Sequence, residues 1–193
     1  MWEKFASLFR VPELRKRILF TLGAIIVFRL GSFITVPGVD KSVLQQVFNS
    51  GSGGIWDWMN MFSGGALQRF SLFALGVAPY INASIIFSLL VSVVPKLKEL
   101  QQQGREGQRK ITTYTRWATV ALAVLQAAFT IAVIQQAVSN PGILFYVTTI
   151  VALTAGTMFL MWLGERITEN GIGNGISMLI MIGILSRFPA SLN

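Results

Sequence analysis

The sequence contains no cysteine and no histidine. Without cysteine there is no disulfide, no thiol nucleophile and no thiolate metal ligand. Without histidine the commonest general base and metal-binding side chain is missing. Acidic residues are scarce: eight Asp and Glu among 193 residues, against sixteen Lys and Arg. Asp40, Asp57, Glu165 and Glu169 read as loop residues, with no HExxH, GxSxG or paired-carboxylate spacing among them. No catalytic constellation remains, so an enzyme is not expected.

What is present is apolar. The chain is 53% hydrophobic and 12% charged, with a mean hydropathy of +0.61. That composition fits a polytopic membrane protein rather than a soluble core of this size. The net charge of +8 would point to nucleic acid in a soluble domain. Here the basic residues cluster between apolar stretches, where they set orientation. The first apolar run is long and no small-residue cleavage site follows it, so no cleavable signal peptide is expected.

The spacing predicts five membrane-spanning helices, at 18–36, 66–95, 117–138, 143–163 and 176–191. A basic arm, 1–17, precedes them and is interrupted by Pro12. A glycine-rich external segment, 37–65, follows the first span. A basic loop, 96–116, follows the second, a tight turn at Pro141-Gly142 joins the third to the fourth, and a glycine-rich turn, 164–175, leads to the fifth. Neither Gly104/Gly107 nor the GxGxG string at 171–175 has the context of a phosphate or dinucleotide loop. Arg29 falls inside the first span and is expected to snorkel to the outer interface. Gly156 is expected to permit close packing in the fourth span. The arm holds five basic residues, the 95–116 stretch six and the 164–175 turn one, against Lys41 and Arg187 on the other side. This bias places the N-terminus in the cytoplasm.

The central run, Phe70 to Val94, is twenty-five residues without a charge. Read as one helix, it puts Val77, Ile81, Ser84, Ser88 and Ser92 within an arc of about 80°, with Pro79 and Asn82 inside it. The simplest account is packing on neighbours through small residues. Ile176 and Ile180 repeat the Val77/Ile81 spacing in the fifth span. Facing one another, the two pairs would form a narrow apolar constriction, although such pairs are common in any packed core. The run Ile55–Phe62 (IWDWMNMF) covers about 12 Å as a helix, too little to cross a bilayer. Physical argument favours an interfacial helix anchored by Trp56 and Trp58; a re-entrant helix is the alternative. A conduit, half of an inverted-repeat secondary transporter and a packing scaffold all remain open.

Four longer strings narrow this: FRLGSFITVPGVD (28–40), NMFSGGALQRFSLFALGVAPYINASII (60–86), GREGQRKITTYTR (104–116) and GTMFLMWLGERITENGIGNGIS (156–177). In composition and order they resemble the SecY protein-translocation channel family. The resemblance covers the N-terminal half of that family's ten-helix plan. It implies an all-α membrane protein with five transmembrane helices and a short re-entrant plug helix, one half of a pseudo-symmetric channel. It implies a pore ring at Val77, Ile81, Ile176 and Ile180, although Val77 is smaller than the isoleucine often found there. It implies a plug formed by Ile55, Trp56, Asp57, Trp58, Met59, Asn60, Met61, Phe62, Ser63, Gly64 and Gly65, reversing the interfacial preference. The second and third spans become one side of a lateral gate, to which Ser84, Ser88, Ser92 and Gln126 are assigned. Arg105, Arg109 and Lys110 become contacts for a cytoplasmic partner. The implied partners are SecE and SecG, a SecA motor ATPase or the ribosome, signal sequences and nascent chains, membrane lipid, and the missing C-terminal half of the channel. The implied location is the inner membrane of a bacterium, and no cofactor is implied.

Overall fold

The computed structural model describes residues 12–40, 42, 44, 46, 60, 63–135, 138 and 142–187. The described residues form helices α1 (Pro12–Gly31), α2 (Ala78–Val93), α3 (Pro95–Gln102), α4 (Arg105–Val133), α5 (Ile143–Asn170) and α6 (Gly175–Arg187). The only bridges among them are two isolated antiparallel ones, Thr35 with Ser71 and Val39 with Val138. Helices α4 and α5 are long and apolar enough to cross a membrane. Helices α2 and α3 meet the same test only as a pair, bent by 100° at Val94. Helix α6 is apolar but short.

The helix boundaries differ from the expected spans for identifiable reasons. Pro12 stands at the start of α1, where proline is pre-organised for the first helical turn. That helix stops at Gly31 rather than 36, where the ring of Phe73 occupies the space a β-carbon at Gly31 would need. The second span is helical only from Ala78, since Gly76 takes φ +58° and Phe70 φ +47°. Neither conformation belongs to an α-helix. Pro79 sits in the first turn of α2 and so marks a start, not an internal break. Most of the expected 96–116 loop is helical, folded into α3 and the first turns of α4. Helix α5 continues to Asn170, which puts Glu165 and Glu169 on a helix rather than in a loop and shortens the turn to 171–174.

The stretch 63–77 is the centre of the packing. It is a chain of turns, not a helix, yet Ala66, Leu67, Phe70, Phe73, Ala74, Leu75 and Val77 on it are all buried. Leu67, Phe70, Ala74 and Leu75 enter one core cluster with Ala127, Ile131 and Leu153. Ala66, Phe73 and Val77 enter a second with Ala24, Phe28, Leu160, Ile167 and Leu179. Phe73 stacks between Phe28 of α1 and Phe159 of α5, with ring centroids 6.1 and 5.8 Å apart. Lipid cannot satisfy non-helical backbone, so such a segment has to be enclosed by protein. Part of that demand is met by pairing with the stretch after α1: Val36 N–H donates to Phe70 O (3.0 Å) and Leu72 N–H to Ile34 O (2.8 Å). The close approach expected at Gly156 is present, but its partner is the carbonyl of Leu72, not another helix.

Candidate functional site

Three concavities share α2. The first is a cavity of about 290 Å³ lined by Ser63, Ala74, Leu75, Gly76, Val77, Ala78, Ile81, Asn82 and Ile180. It gathers three of the four expected ring residues. Val77 is the N-cap residue of α2, and its carbonyl accepts the N–H of Ile81 at 3.1 Å. The i, i+4 relation survives although the helix begins one residue after Val77. Ile81, Ile176 and Ile180 are half-buried against the cluster that contains Val77. Ile176 lies outside this cavity and lines the cleft described last.

Of the expected plug, Ile55, Trp56, Asp57, Trp58, Met59, Met61 and Phe62 lie outside the described residues. Asn60, Ser63, Gly64 and Gly65 are buried. Asn60 grips Gln68: its Oδ1 accepts the Gln68 N–H at 3.1 Å, and its Nδ2 donates to Gln68 Oε1 at 3.3 Å. Ser63 donates to Asn60 O and accepts the Leu67 N–H, at 3.1 and 3.2 Å. Gly64, at φ +66°, lies against α6, where a β-carbon would come 3.1 Å from Gly183 Cα.

The second concavity, about 260 Å³, runs between α2, α3 and α4 and is lined by Tyr80, Ser84, Phe87, Ser88, Val91, Ser92, Gln101, Ile111, Thr112 and Thr115. All three expected gate serines line it. The Ser88 and Ser92 hydroxyls donate back to the carbonyls of Ser84 and Ser88, at 2.8 and 3.1 Å. Their protons are therefore committed to the helix itself, and what they offer the groove is acceptor capacity. Gln126 does not line this groove.

The third is a cleft of about 1130 Å³ between the start of α2, the first turns of α4 and the α5–α6 turn, lined by Tyr80, Arg105, Gln108, Arg109, Thr112, Thr113, Arg116, Glu165, Thr168, Glu169, Asn174 and Ile176. Two of the three expected contact residues, Arg105 and Arg109, line it, whereas exposed Lys110 does not. A bidentate ion pair crosses the cleft from α4 to α5: Arg116 Nη2 to Glu165 Oε2 at 2.6 Å and Nε to Oε1 at 3.0 Å. Glu169 pairs along α5 with Arg166 at 3.0 Å. Sequence reasoning missed the Arg116–Glu165 pair because its partners are 49 positions apart. It also missed Tyr80, which lines both the serine groove and this cleft.

The SecY family model matches residues 71–193, which include α2 through α6. The chain belongs to the SecY family. It is 53% identical over 184 residues to the protein translocase subunit SecY of Haemophilus influenzae, and 52% identical over 187 residues to that of Escherichia coli K12. Each alignment covers 93% of this chain and 42% of the relative's length. The chain thus spans about half or less of the length of the curated SecY proteins it matches. Its backbone superposes on a protein conducting channel, and on Sec61 from a canine ribosome-channel complex of the endoplasmic reticulum. Both have a TM-score of 0.67 at 18% identity, over 94% of this chain and 40% of the other. At that identity the likeness establishes the fold.

Proposed function

We propose that this chain supplies half the wall of a membrane channel for unfolded polypeptides, with Val77, Ile81, Ile176 and Ile180 as its share of an apolar constriction. The observation that carries the reading is the cavity in which Val77, Ile81 and Ile180, from two separate helices, converge beside Ser63. A collar of branched aliphatic side chains excludes ions by dewetting and deforms around a passing chain. Ser63 lines the same cavity and Gly64 lies against α6, which supports reading them as the end of a plug segment. The relatives are named as translocase subunits, which favours a conduit over a solute transporter.

In this reading α1, α2, α4, α5 and α6 are the five crossings, and the N-terminus is cytoplasmic. The serine groove between α2 and α4 belongs to the gate wall through which apolar segments reach lipid. Arg105 and Arg109 receive a motor ATPase or ribosome at the cytoplasmic cleft. SecE, SecG and a C-terminal half complete the assembly in a bacterial inner membrane. Broad apolar faces await lipid or those partners: Leu19, Leu22, Ile26 and Leu30 on α1, and Trp117, Leu125 and Phe129 on α4, are exposed.

The test is ion conductance of the full-length channel in planar bilayers. Ile81→Gly and Ile180→Gly are each expected to raise resting leak. Native conductance in both variants would remove the constriction.

A further inference from the structure

One face of α1 is buried along Thr21, Ala24, Phe28 and Gly31. Thr21 is 4% exposed and both functions of its hydroxyl are used. The hydroxyl donates to Arg17 O at 2.8 Å and accepts the Ile172 N–H at 3.3 Å. One helical turn earlier, Arg17 Nη1 donates to Gly171 O at 3.2 Å. Gly171 C=O and Ile172 N–H are the two ends of a single peptide group. That one peptide, in the turn between α5 and α6, is therefore held at both ends by α1. The fit is close, since a β-carbon at Gly171 would stand 2.6 Å from Thr21 Oγ1.

From this peptide the chain passes into α6 with little freedom left. Asn174 Oδ1 caps α6 by accepting the N–H groups of Ile176 and Ser177 at 3.1 and 3.2 Å. Thr168 Oγ1 accepts the Gly175 N–H at 2.9 Å, and Gly175 rests on the carbonyl of Gly164. Ile176 follows directly, and Ile180 lies one turn further on. A part-buried peptide group held at both ends by side chains resists reorientation, because turning it gives up two hydrogen bonds at once.

We propose that Thr21 and Arg17 are positioning residues for the constriction, fixing through the Gly171–Ile172 peptide the height at which α6 presents Ile176 and Ile180 to Val77 and Ile81. The inference rests on the constriction reading above, so its test carries a control for that reading. The full-length channel with its partner subunits is compared as native protein, Thr21→Val, Thr21→Ser, Arg17→Gln and Ile180→Gly. Valine keeps the shape of threonine and loses both hydrogen bonds; serine keeps both. Thr21→Val is expected to raise resting conductance several-fold with a normal yield of assembled complex, and Thr21→Ser to stay at the native level. Arg17→Gln, which keeps α1 packed, is expected to leak to a smaller degree. A tight Thr21→Val channel beside a leaking Ile180→Gly channel overturns the clamp. Should Ile180→Gly itself stay tight, the constriction falls, and amide hydrogen exchange judges the clamp alone. Faster exchange across 172–180 in Thr21→Val upholds it, and native exchange there overturns it. If Thr21→Val fails to assemble, Arg17→Gln decides by the same two measurements.

Discussion

Gly156→Ala tests the most unusual feature of the packing, a turn-built segment seated directly on a membrane helix. The added β-carbon would fall on the carbonyl of Leu72. That carbonyl is not the far end of a flexible side chain. Leu72 N–H donates to Ile34 O at 2.8 Å, Val36 N–H donates to Phe70 O at 3.0 Å, and the adjoining Phe73 ring is stacked on both sides. Backbone so held cannot step aside without giving something up. Overpacking of this kind costs about 1–3 kcal/mol, and stretching the Leu72–Ile34 bond adds about 1 kcal/mol. Against this, alanine is the better helix former by about 0.5–1 kcal/mol. Steric cost wins, leaving a net destabilisation of about 1–3.5 kcal/mol, a factor of roughly 5 to 300 at about 1.4 kcal/mol per tenfold.

The matching control is Gly23→Ala on α1, where a β-carbon meets nothing within 4 Å. There only the helix-forming gain applies, so stability should rise by about 0.5–1 kcal/mol. Thermal or denaturant unfolding of the full-length protein in detergent reads both variants. Opposite signs are expected. If Gly156→Ala is as stable as native protein, the 63–77 segment does not rest on α5 as described, and the account of how Val77 is placed goes with it.

Asn60→Ala strips two hydrogen bonds from Gln68 at a buried site, and should cost about 1–3 kcal/mol in the same unfolding assay. A double-mutant cycle on Arg116→Gln and Glu165→Gln should return a coupling near the upper end of the range for exposed pairs, about 1 kcal/mol. Its bidentate geometry favours that end, while side chains 47% and 21% exposed keep it from going higher; the coupling should shrink as salt is raised. Gly107→Ala would drive a β-carbon into the carbonyl of Leu100. It should splay α3 from α4, seen as a longer distance between spin labels on the two helices, whereas Gly104→Ala should strain the φ +74° turn without a clash.

The all-helical class, the pairing of α4 with α5 and the Val77/Ile81 relation were legible because each follows from local pattern or length. The interior of the second span was not. Hydropathy treats 66–95 as one apolar run, and an apolar run carries no record of whether its backbone bonds within itself or to a distant segment. The clues were present as punctuation: Gly76 three residues before Pro79 is a break followed by a helix start. Phe70 at positive φ gives no such signal, since a bulky residue there is held only by its surroundings. The Arg116–Glu165 pair and the peptide clamp of Thr21 were hidden for another reason. Their partners meet only after separate helices have packed, and neither spacing is periodic.

These facts together explain why a constriction can be placed with a segment that is not a helix. A continuous α2 through 66–93 would carry Val77 in mid-helix, with lipid or neighbours on every side. Ending the helix at Ala78 instead leaves Val77 at its tip, where the preceding turns fold Ser63 and Gly76 in beside it. The arrangement costs 63–77 its regular helical bonding, so its backbone groups need other partners inside a membrane protein. Its own turns supply part of them, as in Ser71 N–H to Ala66 O at 2.9 Å, and the stretch after α1 supplies others through Ile34 and Val36, while Gly156 of α5 leaves room for the Leu72 carbonyl. Helix α1 and the stretch after it thus support the cavity from two sides, holding the Val77 segment through Ile34 and Val36 and the α5–α6 turn through Thr21. A change in the tilt of α1 would move the Val77/Ile81 and Ile176/Ile180 pairs at once.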